Sequence, residues 1–238
     1  MKHSMPKRFS ASNAAQFIAC PGSANLELAL PGWVDPPKND NGAKGIGKFL
    51  HELMASIVTL PLAQLRGLAE AVEFVTELRT KRRFKVLSEE TEVAEWLPSK
   101  PSTTADLVLY VQDEIHILDF KTGKIPVEVK SDQMLFYART YLHHAPKATA
   151  VNLYIVQPWG GIIDHAVITI SELAVWAAEA IVTDVAISAG ATELNPSEHC
   201  TFCPANPHSR GDKGNIMCPA QMAILYPSTF DEDEILNL

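Results

Sequence analysis

Residues 116–124 read HILDFKTGK, and residues 103–110, just before them, read TTADLVLY. The apolar runs at 105–111 and 114–120 predict two β-strands, and the interruption at Gln112-Asp113 is short enough to predict a tight hairpin. With those two residues as the turn, Val111 pairs with Glu114, and counting outward sets Asp106 across from Asp119. Opposed side chains lie about 5 Å apart, and like charges there repel. Because strand side chains alternate, Lys121 points to the same side as Asp119. Moving the turn by one residue on both strands sets Asp106 across from Lys121, still on that face. Either way, two carboxylates and an ammonium converge at one end of the hairpin.

A hard divalent cation held by both carboxylates, with water in its other positions, removes the repulsion. Such an ion activates water and stabilises charge on a phosphoryl oxygen. A lysine beside it orients the attacking water or stabilises developing negative charge. The plain alternative is a surface ion pair between Asp119 and Lys121 at a strand end.

Outward from the hairpin, KSDQMLFYARTYLHH (130–144) has helical periodicity, and ATAVNLYIVQP (148–158) and GIIDHAVITI (161–170) predict strands. Ser171 is placed to cap a long helix reaching about Ser188. Upstream, Ser10 caps a short helix stopped by Pro21-Gly22, and 30–42 is a Pro/Gly/Asn loop. Helices are expected over Lys44 to about Thr59 and Ala63 to about Lys81. The alternation in KVLSEETEVAEWLP (85–98) predicts one strand ended by Pro98. The order α-α-β-β-β-α-β-β-α describes an α/β fold, a central mixed sheet flanked by helices.

The chain has 238 residues, 47% of them hydrophobic and 20% charged, as expected of a soluble globular protein. No N-terminal stretch reads as a signal peptide. The most apolar window, 172–190, carries Glu172, Glu179 and Asp184, which suits a core helix and not a membrane span. A cytoplasmic protein without membrane contact is the expectation. The net charge of −8 does not advertise nucleic-acid binding, although a groove can be locally basic on an acidic protein. The basic run RTKRRFK (79–85) reads first as the solvated end of a helix and second as a DNA-backbone contact, and Asp231 to Glu234 as a solvated acidic tail, with docking on a basic partner its alternative.

The only cysteines are Cys20, Cys200, Cys203 and Cys218. In a reducing compartment metal ligation is their leading account. Zinc and a [4Fe–4S] cluster both accept four thiolates. The stretch 204–217 separates Cys203 from Cys218, and His199 or His208 are conceivable substitutes in a zinc site.

Asp106, followed by Asp119-Phe120-Lys121, resembles the D…(D/E)-x-K signature of the PD-(D/E)XK nuclease superfamily. LDFKTGK followed by DQMLFYA resembles its RecB-like branch, in which D-x-K-T-G precedes Q-x-x-x-Y on the next helix. Gln133 and Tyr137, four apart, share one helix face. The resemblance implies that Asp106, Asp119, Lys121, Gln133 and Tyr137 form the active site. It also implies a metal-binding histidine on an upstream helix, which His51 in GIGKFLHELM supplies, imidazole suiting Mn²⁺ better than Mg²⁺. The backbone carbonyl of Phe120 is a further implied ligand, and Glu92 a weaker acidic candidate. One cysteine before the core and three after it resemble the iron–sulfur staple of AddB-type and CRISPR-adaptation nucleases. SASNAAQFIACPGSANLE (10–27) is similar to the N-terminus of a phage-encoded group of these nucleases. Thr103 departs from the pattern, since the family has glycine there.

The expectation is thus one PD-(D/E)XK-type domain over 1–238. Its core spans about 44–190, a cluster-binding lobe takes about 10–30 and 191–225, and an acidic tail covers 228–238. The function implied is a Mg²⁺- or Mn²⁺-dependent deoxyribonuclease, an exonuclease in preference to an endonuclease, in phage recombination, replication or host-DNA degradation. The [4Fe–4S] cluster would be structural, with Zn²⁺ its alternative. Partners would be DNA and a phage single-strand-binding protein or helicase; an oligomer is neither required nor excluded. Location would be the host cytoplasm. The competing expectation is a non-catalytic DNA-binding or scaffold protein on the same fold.

Overall fold

The hairpin forms as the sequence requires. In the computed structural model, which describes residues 9–29, 70–80, 84–87, 92–121, 125–157, 162–203, 205 and 218–225, Gln112 and Asp113 both adopt positive φ (52° and 69°). That is the backbone of a two-residue type I′ turn, whose twist matches the flanking strands. The Tyr110 hydroxyl donates to Asp113 Oδ1 at 2.7 Å and steadies the turn. The flanking strands are Leu107–Val111 and Glu114–Phe120. Val111 pairs with Glu114 and Leu107 with Leu118, so the register carries Asp106 across from Asp119.

In chain order the strands are β1 (Phe84–Val86), β2 (Glu92–Val93), β3 (Ser102–Thr103), β4 (Leu107–Val111), β5 (Glu114–Phe120), β6 (Ala150–Gln157) and β7 (Ile162–Thr169). The helices are α1 (Ala14–Ala19), α2 (Gly22–Ala29), α3 (Glu70–Thr80), α4 (Asp132–Tyr141), α5 (Ile170–Ser188) and α6 (Pro219–Leu225). Five strands make one mixed sheet in the order β1-β4-β5-β6-β7, and β2 pairs with β3 separately. Only β5 and β6 run parallel, and the chain between them holds α4, as a parallel connection requires. The protein is therefore mixed α/β, a five-stranded sheet flanked by helices. β5 is the middle strand, and its residues from Ile115 to Phe120 are all buried.

Two compact units share the chain. One comprises 36–96 and 100–178 and holds the sheet; the other comprises 1–35, 97–99 and 179–238. In the sheet unit, Leu107, Leu109, Val111, Leu118, Phe120, Tyr154 and Val156 form one face. Leu78 and Phe74 of α3 pack against it, with the Phe74 ring 4.8 Å from that of Tyr154. Asp119 points to the opposite face, where α4 lies. Trp96 anchors the back of α4, donating to Thr140 Oγ1 at 3.1 Å and packing on Phe136 and Trp176. Trp176 in turn donates to Asp132 Oδ1, at the first turn of α4, at 2.7 Å. These bonds fix the helix that carries Gln133 and Tyr137.

Three local expectations change. The segment 85–98 is not one strand: β1 pairs with β4, whereas Glu92 and Val93 pair with β3. The cap of α5 is Thr169, not Ser171. Glu172 N–H donates to Thr169 Oγ1 at 3.1 Å and Thr169 N–H donates to Glu172 Oε2 at 2.8 Å, the reciprocal capping box of T-x-x-E. Those bonds hold the Glu172 carboxyl below its usual range. Finally, Pro21-Gly22 ends α1 but Gly22 begins α2. A Cβ on Gly22 would collide with the Glu193 carbonyl, which accepts the Gly22 N–H at 2.8 Å. The expected helix Lys44–Thr59, the loop 30–42 and the acidic tail lie outside the described residues; of the helix expected from Ala63, Glu70–Thr80 is described. Among the described residues no helix is long and apolar enough to cross a membrane.

Gln112 occupies the left-handed region, which Asn tolerates better than a longer side chain. Gln112→Asn should therefore stabilise the protein by about 0.5–1 kcal/mol. Urea denaturation would register this as a higher midpoint at unchanged slope.

Candidate functional site

At the end of β5 the side chains named in the sequence form one connected set. Asp119 is 2% exposed. Lys121 Nζ lies 2.7 Å from Asp119 Oδ2, a close charge contact and not an aligned hydrogen bond. The same ammonium donates to Gln133 Oε1 at 2.9 Å, and Gln133 Nε2 donates to the Tyr137 hydroxyl at 2.9 Å. The Gln133 amide thus turns its oxygen to the cation and its nitrogen to the phenol. Asp106, just ahead of β4, accepts the Phe120 N–H on Oδ2 at 2.8 Å, which ties it to the strand that bears Asp119.

The helix repeat explains why α4 can do this. Gln133 and Tyr137 stand one turn apart on the face turned to the sheet. Burial pushes the Tyr137 phenol well above its usual range, and the charges of Asp119 and Asp106 push it further, while the Gln133 bond acts in the opposite sense. The phenol thus stays protonated, and both carboxylates are near enough to act on it. Tyr141, one turn further along, accepts the Ala105 N–H at 3.4 Å and so holds the residue before Asp106.

Sequence reading missed Gln157, at the end of β6. It is 3% exposed, accepts the Val127 N–H at 3.3 Å and donates to the Ile125 carbonyl at 3.0 Å. It therefore anchors the chain leaving Lys121. A glutamine closing an otherwise apolar strand was the available signal. Thr103 lies in β3 with extended backbone, paired with Glu92, so that position has no need of glycine's conformational freedom. His51 lies outside the described residues, as do Thr122 to Lys124.

Glu92 stands apart from the connected set. Its Oε1 is 2.8 Å from His144 Nε2 and its Oε2 3.7 Å from His143 Nε2. Among the described residues, these three bring their ligand atoms within 4.8 Å of one another.

The second unit holds all four cysteines, each buried and none in a disulfide. The Asn195 N–H reaches Cys20 Sγ at 3.3 Å, the Ser197 N–H reaches Cys200 Sγ at 3.3 Å, and Gln16 Nε2 reaches Cys203 Sγ at 3.7 Å. Burial pushes the Cys218 thiol up, opposed by the N–H groups of Gln221 and Ala220 and reinforced by Cys20 and Cys200. Cys20, Cys200 and Cys218 are thus electrostatic neighbours, and N–H donors meet all four sulfurs. Among the described residues no three thiols have their sulfurs mutually within 4.8 Å, so they do not form a closed set of ligands.

A mixed sheet with a buried carboxylate–lysine pair at its central strand end defines the class of site. A family model described as "Protein of unknown function (DUF2800)" matches residues 66–238, and the chain belongs to that family. Among solved structures the chain is similar to one titled "Crystal structure of SSO0001", with a TM-score of 0.40 and 12% identity, over 85% of this chain and 86% of that one. No curated protein matches.

Removing the Lys121 cation leaves a buried carboxylate without its nearest counter-charge. Lys121→Met should lower stability by about 1–3 kcal/mol, reduced from the fully buried case because the lysine is partly exposed. Adding Asp119→Asn should restore part of that loss. A denaturation cycle over the two single variants and the double variant measures the coupling, and strict additivity would contradict the pairing.

Proposed function

We propose that the protein is a metal-dependent deoxyribonuclease of the PD-(D/E)XK type, acting as an exonuclease. The observation that carries this reading is the position of Lys121 Nζ, shared between Asp119 and Gln133 beside Asp106. A structural ion pair needs the lysine and one acid. It does not need a second acid brought across by the register, nor an amide and a phenol that orient the cation from the other side.

The donor set suits a hard divalent ion: two carboxylates from adjacent strands and the Phe120 carbonyl, with His51 proposed as the fourth ligand. Bound there, Mg²⁺ or Mn²⁺ would supply Lewis acidity at the scissile phosphate. The chain's own groups do the rest. Asp119 and Asp106 hold fixed negative charge at the sheet end. Lys121, oriented by Gln133, positions the attacking water and stabilises charge growing on the phosphate. Tyr137, held protonated, keeps a donor O–H beside the carboxylates and fixes the Gln133 amide. The substrate would be DNA met at an end, in phage recombination, replication or host-DNA processing, alongside a single-strand-binding protein or helicase.

The four buried thiols with N–H donors at their sulfurs support a resident [4Fe–4S] cluster. Tetrahedral zinc with Zn–S near 2.3 Å would draw the sulfurs to about 3.8 Å apart, whereas among the described residues no three thiols bring theirs mutually within 4.8 Å. The group's role would be structural, closing the loop between Cys20 and Cys200.

The test is cleavage of end-labelled linear and closed circular DNA, single- and double-stranded, with Mg²⁺, Mn²⁺ or EDTA, using anaerobically purified protein. Metal-dependent loss of linear DNA alone, reduced about 100-fold or more in Lys121→Ala, is the expected outcome. Cleavage that persists in Lys121→Ala or Asp119→Ala sinks the assignment. Absence of cleavage under every condition favours the binding or scaffold reading. Separately, the anaerobic protein should carry about four iron atoms per chain, and Cys203→Ser should lose iron and stability together. Stoichiometric zinc in their place would identify a zinc staple.

A further inference from the structure

The sheet unit holds a second group of ligands that the proposed chemistry does not use. Glu92 belongs to β2, while His143 and His144 form the 3₁₀ turn Leu142–His144 that extends α4. Both imidazoles present Nε2 to the same carboxylate, at 3.7 and 2.8 Å. Their ring centroids are 3.9 Å apart.

The tautomer of His143 is fixed by its surroundings. Its Nδ1 is 2.9 Å from the Thr140 carbonyl, which can only accept, so Nδ1 carries a proton and the neutral ring presents its lone pair at Nε2. This is how a metal-ligating histidine is oriented, the far ring nitrogen donating to a backbone oxygen. A simple ion pair would need one histidine. Here two imidazoles, their rings tilted by 37°, bring Nε2 to the same carboxylate, where each Nε2, once free of its proton, can ligate an ion that Glu92 also holds. Ligand atoms within 4.8 Å of one another surround a volume suited to metal–ligand bonds of about 2.0–2.2 Å.

We propose that Glu92, His143 and His144 bind one divalent transition-metal ion of the zinc type. Two imidazoles and a carboxylate favour zinc over Mg²⁺ or Ca²⁺, which take oxygen ligands. Three protein ligands leave a coordination position open. Glu92 and His143 themselves line a cleft of about 620 Å³ with Val93, Glu95, Trp96 and Arg139, through which an ion bound there would meet solvent. His143 is the exposed member, its side chain 57% accessible, and Glu92 the most enclosed, at 19%. Binding ties the β2–β3 pair to the end of α4. The inference stands independently of the nuclease reading.

The test counts zinc on full-length, anaerobically purified protein with its cysteine site filled. After equilibration with Zn²⁺ and removal of loose metal, wild-type protein should hold one more equivalent than His143→Ala, His144→Ala or Glu92→Gln. The zinc dissociation constant of each variant at this site should rise about 10-fold or more. His143→Ala removes an exposed side chain, so a circular-dichroism spectrum matching wild type is expected and keeps the comparison valid. Co²⁺ should add visible ligand-field bands without a sulfur-to-metal charge-transfer band, which separates this site from the thiols. Equal zinc in wild type and His143→Ala overturns the proposal. So does a cobalt spectrum unchanged by the substitutions. Loss of DNA cleavage in Lys121→Ala with the extra zinc retained would show the two sites to be separate.

Discussion

The register of one hairpin controls the chemistry of this chain. Because Gln112 and Asp113 make a two-residue turn, Val111 meets Glu114 and the acids Asp106 and Asp119 are carried to the same strand end. A slip of one residue would send either acid to the apolar face occupied by Leu118, Phe120 and Tyr154, where α3 packs. The apolar face therefore enforces the polar one. Leu107, Leu109, Val111, Leu118 and Phe120 pack in only one register, and the carboxylates follow. The cost is two like charges near each other at the middle of the sheet. Lys121, one pleat beyond Asp119, offsets part of it.

That constraint explains why so much of the site was legible. Period-2 alternation gave the face of Asp106, Asp119 and Lys121, and period 3.6 gave the shared face of Gln133 and Tyr137. Both are local rules, and the structure obeys both. What local rules could not supply was partner choice. Residues 85–98 keep their alternation while their partner changes from β4 to β3, and alternation is identical in either case. Thr169 lies at the end of a strand-like run, which conceals its role as a cap. Yet TISE carried the capping box in plain view, and the last strand residue doubles as the helix cap. The histidines of YLHH looked like the end of a helix. Their meaning depends on Glu92, which only the β2–β3 pairing brings to them.

The surroundings of Lys121 show how a flexible cation is made specific. A lysine side chain loses considerable rotamer freedom when fixed. Here it is gripped from two elements, Asp119 of β5 and Gln133 of α4. Gln133 is fixed in turn by Tyr137, whose phenol is kept neutral by burial and by the neighbouring carboxylates. α4 is held on its far side by Trp96 and at its first turn by Trp176. The position of one ammonium thus depends on packing that begins a full helix diameter away. Preorganisation of this kind matters most where charge appears during a reaction, because groups already in place need not reorganise.

On the readings proposed here, the chain sorts its metals by the softness of its donors. The sheet end offers carboxylate and carbonyl oxygens, which suit Mg²⁺ and Mn²⁺. The α4 terminus offers two imidazoles with one carboxylate, which suit zinc. The remaining unit offers thiols met by N–H donors, which suit iron–sulfur chemistry. Affinity alone would not keep these ions apart, since zinc binds most nitrogen, oxygen and sulfur sites more tightly than Mn²⁺ does. Spacing must contribute. Among the described residues no three thiols bring their sulfurs mutually within 4.8 Å, a looser spacing than one tetrahedral ion gives its ligands. At the sheet end, a cation already seated on Asp119 adds a positive charge that any incoming ion must share, which favours ions retaining their water over those seeking close, dry coordination.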